Sequence, residues 1–265
     1  MTTAASRPAP IDEQALRARN RHFYDGLWGG ARLCDPAGFN TWPLVRSLTE
    51  GAPRRLEVAP GLRPRFPVEG GHFVDISTPA LAALRAAGGQ ALQGSAAALP
   101  FPDASFDAVC AMDIVEHLVD DDAVLAELAR VARPGAHVLL SAPLHPDSWT
   151  VFDDFVGHCR RYEPDTLLAK LAANGLTLER SAIYGMQPKA SWLLKLGMWF
   201  LTHHRPLAMR WYNRTLPLLA RAQKPPNLVT GMVPTAGVDE VLLVCRKDAT
   251  PGSTDRPGPH THPTP

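Results

Sequence analysis

The stretch Gly94–Leu118, GSAAALPFPDASFDAVCAMDIVEHL, decides how this chain folds. Pro100, Pro102 and Asp103 disfavour helix and favour turns, so Leu99, Phe101 and Phe106 act as apolar anchors in an irregular segment. From Phe106 to Met112 the residues form a short, nearly continuous apolar run, which suits a parallel strand buried on both faces. A helix is expected to begin near Asp120, Asp121 and Asp122 and to carry Val124, Leu125, Leu128 and Val131 at helical spacing. Pro134 and Gly135 stop it, and a second apolar run, HVLLSAP, follows from His137 to Pro143. Strand, helix and strand in so short a span make a right-handed crossover unit of a parallel sheet.

Outward from this unit, Arg55–Ala59 (RLEVA) and His72–Ile76 (HFVDI) read as the first two strands. Ser77 or Thr78 caps a helix with Pro79 at an early position, Gly88 and Gly89 end it, and Gln90–Gly94 supplies a third short strand. Pro164 and Gly175 bracket a further helix, Leu176–Ile183 is a strand, and Glu240–Arg246 (EVLLVCR) is a closing strand. Seven strands interleaved with helices predict an α/β, doubly wound, Rossmann-like sheet with a helical cap inserted before the last strand. The expected boundaries are 1–50 for an N-terminal helical segment with a disordered start, 51–183 for the core, 184–238 for the cap, 239–247 for the closing strand and 248–265 for a disordered tail.

With 265 residues and 45% hydrophobic content, the chain can bury one sizeable core. A net charge of +1 offers no electrostatic case for nucleic acid. Cys34, Cys110, Cys159 and Cys245 are widely separated and form no metal-ligand spacing; they read as buried thiols of a reducing cytoplasm, and no metal is expected. The start, MTTAASRPAP, lacks the apolar stretch of a secretory signal, and no apolar run approaches the ~20 residues needed to span a bilayer, so a cytoplasmic location is expected. The tail from Asp248 is rich in proline, glycine and threonine and cannot bury enough apolar surface to order itself. Its His260 and His262 offer only adventitious metal ligands.

Ligands of doubly wound sheets bind where the carboxyl ends of adjacent strands diverge, which singles out Glu57–Gly61, Asp75–Ser77, Gly94–Ala96 and Met112–His117. Asp75 ends the second strand, where a carboxylate can accept both hydroxyl protons of a ribose; the alternative is a helix-capping aspartate. The twelve residues from Pro60 to Gly71 include Pro60, Pro64 and Pro67, so a helix has little room after the first strand. Without a helix N-terminus to hold an anion there, another positive group is called for.

The phrases LEVAPGLRP, FVDIS, Gly94–Leu118 and VARPGAHVLLSAP (Val131–Pro143) resemble the core of class I S-adenosylmethionine-dependent methyltransferases, in particular methyltransferase type 11-like proteins. The likeness covers roughly Leu56–Pro143, and more loosely Asp153–Leu176. It implies S-adenosyl-L-methionine as cofactor, held by Glu57, Ala59, Pro60, Gly61, Arg63, Asp75, Ile76, Ser95, Ala96 and Met112. The chain departs from the family where Ala59 and Arg63 replace usual glycines, and where Ser95 stands in place of an acid that receives the adenine amino group. Arg63 or Arg65 is then expected to pair with the methionyl carboxylate, a planar contact suited to guanidinium; two solvated arginines are the alternative.

Methyl transfer needs the nucleophile held in line with the methyl group, and a base only when the acceptor carries a proton. His117 in VEHL, His145 in PLHPDSW and His158 in DDFVGHCRRYEP are the candidate bases. Each has a structural alternative, which for His158 is a solvated lid with internal ion pairs among Asp153, Asp154, Arg160 and Arg161.

From Ser181 to Val238 there is no acidic residue, while Lys189, Lys195, Arg205, Arg210, Arg214, Arg221 and Lys224 alternate with tryptophans and leucines. Such an insertion suits a small or lipid-like acceptor, or peripheral membrane contact through residues 190–224; a cap with solvated arginines is the plainer alternative. Two other functions compete: a degenerate, non-catalytic cofactor-binding scaffold, and a nicotinamide-dependent oxidoreductase. The second needs a tight glycine-rich turn leading into a helix, which APGLRPRFP does not provide.

Overall fold

The computed structural model describes residues 13–185 and 191–249. Met1–Pro10, Lys189, His260 and His262 lie outside these residues, as does the tail beyond residue 249.

Helix α1 (Glu13–Trp28), a short turn of 3-10 helix at Pro36–Gly38 and α2 (Trp42–Thr49) precede the sheet. Strands β1 (Arg55–Val58) and β2 (His72–Asp75) are followed by α3 (Thr78–Ala86) and β3 (Gln90–Gln93). The central crossover consists of β4 (Phe106–Ala111), α4 (Asp121–Val131) and β5 (Ala132–Pro143). Then come α5 (Val151–Val156), α6 (Pro164–Ala173), β6 (Leu176–Tyr184), α7 (Ser191–His203), α8 (Arg205–Ala222), β7 (Val229–Thr230) and β8 (Glu240–Lys247).

The strands form one sheet in the order β3-β2-β1-β4-β5-β8-β6-β7, parallel from β3 to β5 and antiparallel beyond. It has eight strands, not the seven expected. The extra one is Val229–Thr230, which pairs with Ser181 and Arg180 and is too short to carry any periodicity.

Strand β4 is buried on both faces because its alternating residues serve two cores. Val109 and Ala111 pack with Val124, Leu125 and Leu128 of α4, while Ala108 and Cys110 pack with Val45 and Leu48 of α2. Each such leucine contributes roughly 1.5–3 kcal/mol by leaving water. At the N-terminus of α4, the Asp120 carboxylate accepts the Ala123 N–H at 2.9 Å, as the acidic triplet suggests. The following strand starts at Ala132 rather than His137, so Pro134 and Gly135 lie within it. The cause is local: a residue before proline, here Arg133, is forced out of helical geometry, which ends α4 abruptly.

Between β1 and β2 no helix forms; the chain passes through turns from Ala59 to Gly71. This loop shapes the site.

Candidate functional site

Chain order reverses between β1 and β4, with β2 and β3 on one side and β5 on the other, so the strand ends diverge there. A cavity of about 840 Å³ opens at this point, roofed by α1, α5, α7 and α8.

The loop after β1 is stapled from below. Buried Glu57 accepts the Arg65 N–H at 2.9 and 3.0 Å and the Phe66 N–H at 2.9 Å, which draws Phe66 into the core. Burial pushes the Glu57 carboxyl up to about 7, against those bonds. Ala59 adopts a left-handed φ of 54°, the conformation the usual glycine would supply, at a cost of about 1 kcal/mol. Gly61 cannot carry a side chain: its φ is 55°, and a Cβ would lie 2.3 Å from the Trp28 ring.

Asp75, 5% exposed, lies at the mouth of β2 and lines the cavity. Its Oδ2 accepts the Gly61 N–H at 2.9 Å and its Oδ1 the Ser77 N–H at 2.8 Å, and the Ile76 N–H also bears on this carboxylate. Burial pushes this carboxyl up, and the backbone N–H groups oppose it. Ile76, Gly94, Ser95, Ala96, Met112 and Ile114 continue the wall. The Ser95 hydroxyl oxygen accepts the Ala97 N–H at 3.3 Å and keeps its own proton to donate.

Both arginines of the loop reach the cavity. Arg65 donates through Nη2 to the Tyr184 hydroxyl at 2.7 Å and lies 4.0 Å over the Phe39 ring, while its Nε and Nη1 are buried without a partner. Arg63 lies 5.5 Å over Trp28. The neighbouring Tyr212 phenol, together with Asp113, Tyr184 and Tyr24, pushes Arg63 above its ordinary value against burial.

Two of the three candidate histidines meet in the cavity. His117 donates from Nδ1 to the Gly157 carbonyl at 3.2 Å, and its Nε2 lies 3.3 Å from the Tyr24 hydroxyl. Burial, then His158, pushes His117 down to about 3, so it is neutral near pH 7. His158 holds Asp153 Oδ1 through Nδ1 at 2.8 Å, and its Nε2 is 3.7 Å from Glu116. His145 lies apart from these two. It lies in a turn with φ of 60°, its Nε2 sits 2.7 Å from the Thr235 carbonyl, and it is absent from the described cavity wall.

Sequence reasoning missed Tyr24 and Trp28, which form a wall of the cavity from α1; their spacing of four on one helix face was the available signal. It also missed Glu240, which joins Asp113 from the far side of the chain. Burial and the Asp113 charge push the Glu240 carboxyl far up. Asp113 is itself pushed up by burial, but hydrogen bonds from Glu240 and Ser141 and the two arginines hold it below its ordinary value.

Residues 70–140 match the family model described as methyltransferase domain. An uncharacterized methyltransferase of Schizosaccharomyces pombe is 36% identical over 103 residues, which are 37% of this chain and 30% of that relative. The ubiquinone/menaquinone biosynthesis C-methyltransferase of Hahella chejuensis is 43% identical over 58 residues, 21% of this chain and 23% of that protein. The chain therefore spans less than a third of the length of these curated relatives. A solved Thermotoga maritima S-adenosylmethionine-dependent methyltransferase, described as a possible histamine N-methyltransferase, shares the fold. Its TM-score is 0.54 at 15% identity, over 89% of this chain and 97% of that one. Residues 70–140 thus carry a methyltransferase-domain match, and the chain, with its β3-β2-β1-β4-β5 parallel order, shares the Rossmann-like fold of the Thermotoga maritima methyltransferase.

Proposed function

We propose that the protein transfers the methyl group of S-adenosylmethionine to a small or lipid-like acceptor by direct attack on the sulfonium methyl. The observation that carries the reading is Asp75, a buried carboxylate held at the strand end with the cavity before it. When bound, the cofactor supplies an electrophilic methyl group. The residues fit its other end: two orphaned N–H groups of buried Arg65, and Arg63 beside them, call for an anion such as the methionyl carboxylate. Ile76, Ser95, Ala96 and Met112 would flank the adenine ring, while Glu57, Ala59, Pro60 and Gly61 act by shaping the loop.

The remainder of the cavity is lined by Phe23, Phe152, Phe155, Leu194 and Leu201, an apolar chamber suited to a hydrophobic acceptor and to excluding water. The quinone-pathway name of the Hahella chejuensis relative supports that class of acceptor. His117 and His158 each have Nδ1 engaged, so Nε2 is the nitrogen that each presents to the chamber.

Titration calorimetry with S-adenosylhomocysteine tests the anion contact. Arg63→Met or Arg65→Met is expected to weaken binding by about 10-fold, the worth of one charged hydrogen bond. Unchanged affinity in both variants would remove the arginines from the site.

No described helix is long and apolar enough to cross a membrane. Peripheral contact through residues 190–224 is supported by exposed Trp192, Trp199, Trp211 and Leu218 beside exposed Lys195, Arg210, Arg214 and Arg221. Vesicles with anionic lipid are expected to carry the protein upward in a flotation gradient at low salt and to release it at high salt. Failure to float at low salt contradicts the membrane reading.

A further inference from the structure

We propose that Glu116, His117 and His158 form a binding site for a divalent transition-metal cation, although the linear spacing of metal-type residues suggests none. One ligand atom from each lies within 4.8 Å of the others. Donors around a tetrahedral ion with bonds near 2.1 Å stand about 3.4 Å apart, so the set closes by rotations of about 1 Å. All three side chains are nine-tenths buried or more and line the cavity.

Two features point to a cation. Each histidine has its second nitrogen held, His158 by the Asp153 carboxylate at 2.8 Å and His117 by the Gly157 carbonyl at 3.2 Å. Metal-binding histidines are held in this way, because the outer hydrogen bond fixes the tautomer and leaves Nε2 as the ligand atom, which at His117 would exchange the Tyr24 hydroxyl, 3.3 Å away, for the ion. Glu116 Oε2 is buried without a hydrogen-bond partner, a costly state that a cation relieves. Two imidazoles and one carboxylate favour zinc, iron(II), cobalt or manganese over magnesium or calcium. The remaining coordination positions face the chamber beside the Tyr24 hydroxyl. They would take an oxygen atom of the acceptor, and this last clause alone rests on the methyltransferase reading.

The test uses the full chain carrying His260→Ala and His262→Ala, so that the tail pair cannot bind metal. After chelator treatment it is titrated with cobalt(II). One equivalent with visible d–d bands is expected, and Glu116→Gln or His158→Ala should weaken binding by about 100-fold. Circular dichroism of the metal-free variants confirms that they are folded. If a variant unfolds, zinc-edge X-ray absorption on the chain with all three ligands intact still decides, with two imidazoles in the first shell expected. Absence of the bands, affinity unmoved by folded variants, or a shell without an imidazole pair overturns the site. S-adenosylhomocysteine calorimetry on the same sample separates the two proposals. Its binding without a cobalt site overturns only this inference, and a cobalt site without its binding overturns only the methyltransferase reading.

Discussion

Asp75→Ala is expected to weaken S-adenosylhomocysteine binding by about 100-fold, since two hydrogen bonds to a buried carboxylate are worth roughly 3 kcal/mol together. The same substitution frees the N–H groups of Gly61 and Ser77, both bound to this carboxylate, so the loop after β1 loosens as well. Asp75→Asn keeps one acceptor oxygen but sets its NH2 group against the other of these two buried N–H groups, so a loss of about 10-fold is expected together with a lowered melting temperature. Calorimetry of both variants beside a thermal melt checks this, and an affinity equal to that of the native chain in both would remove Asp75 from the site.

Asp153→Ala is expected to be the most destabilising single change near the cavity, by about 3 kcal/mol in urea or thermal unfolding. Asp153 is fully buried, and its oxygens accept Nε and Nη2 of Arg161 at 2.9 and 3.1 Å, the His158 ring, and the Thr150 backbone and hydroxyl. Removing it strands a guanidinium that is 1% exposed, with only Asp239 and the Leu144 carbonyl left to it. Asp239 is half exposed and compensates in part, which keeps the effect at the lower end of the range for broken buried pairs. A loss below about 1 kcal/mol would mean that Arg161 finds other partners.

Much of the architecture was legible because the decisive signals are local. The apolar run at Phe106–Met112, the acidic start of α4, the prolines after Glu57 and the position of Asp75 need no knowledge of distant residues. The short first crossover was foreseen from its prolines, and the loop indeed forms no helix. What escaped was built across the chain. Gly157 orients His117 from forty residues away, Tyr24 and Trp28 wall the cavity from α1, and Glu240 meets Asp113 across more than a hundred residues. His145 looked as eligible as the other two histidines because all three follow strand or loop segments rich in polar residues. Only the fold shows that its ring turns to the Thr235 carbonyl.

Arg65 illustrates the same limit in the other direction. Its residue type and loop marked it as an anion partner, but the chain also buries it against Phe39 and ties one nitrogen to Tyr184, 119 residues away. The two orphaned N–H groups that remain are what turn a general expectation into a specific one.

The most direct test of the central claim is a crystal structure of the chain with S-adenosylhomocysteine. The ribose hydroxyls are expected on Asp75, the methionyl carboxylate at Arg63 or Arg65, and the sulfur facing the chamber that holds His117 and His158. A ligand bound elsewhere, or in this cavity with Asp75 and both arginines untouched, would contradict it.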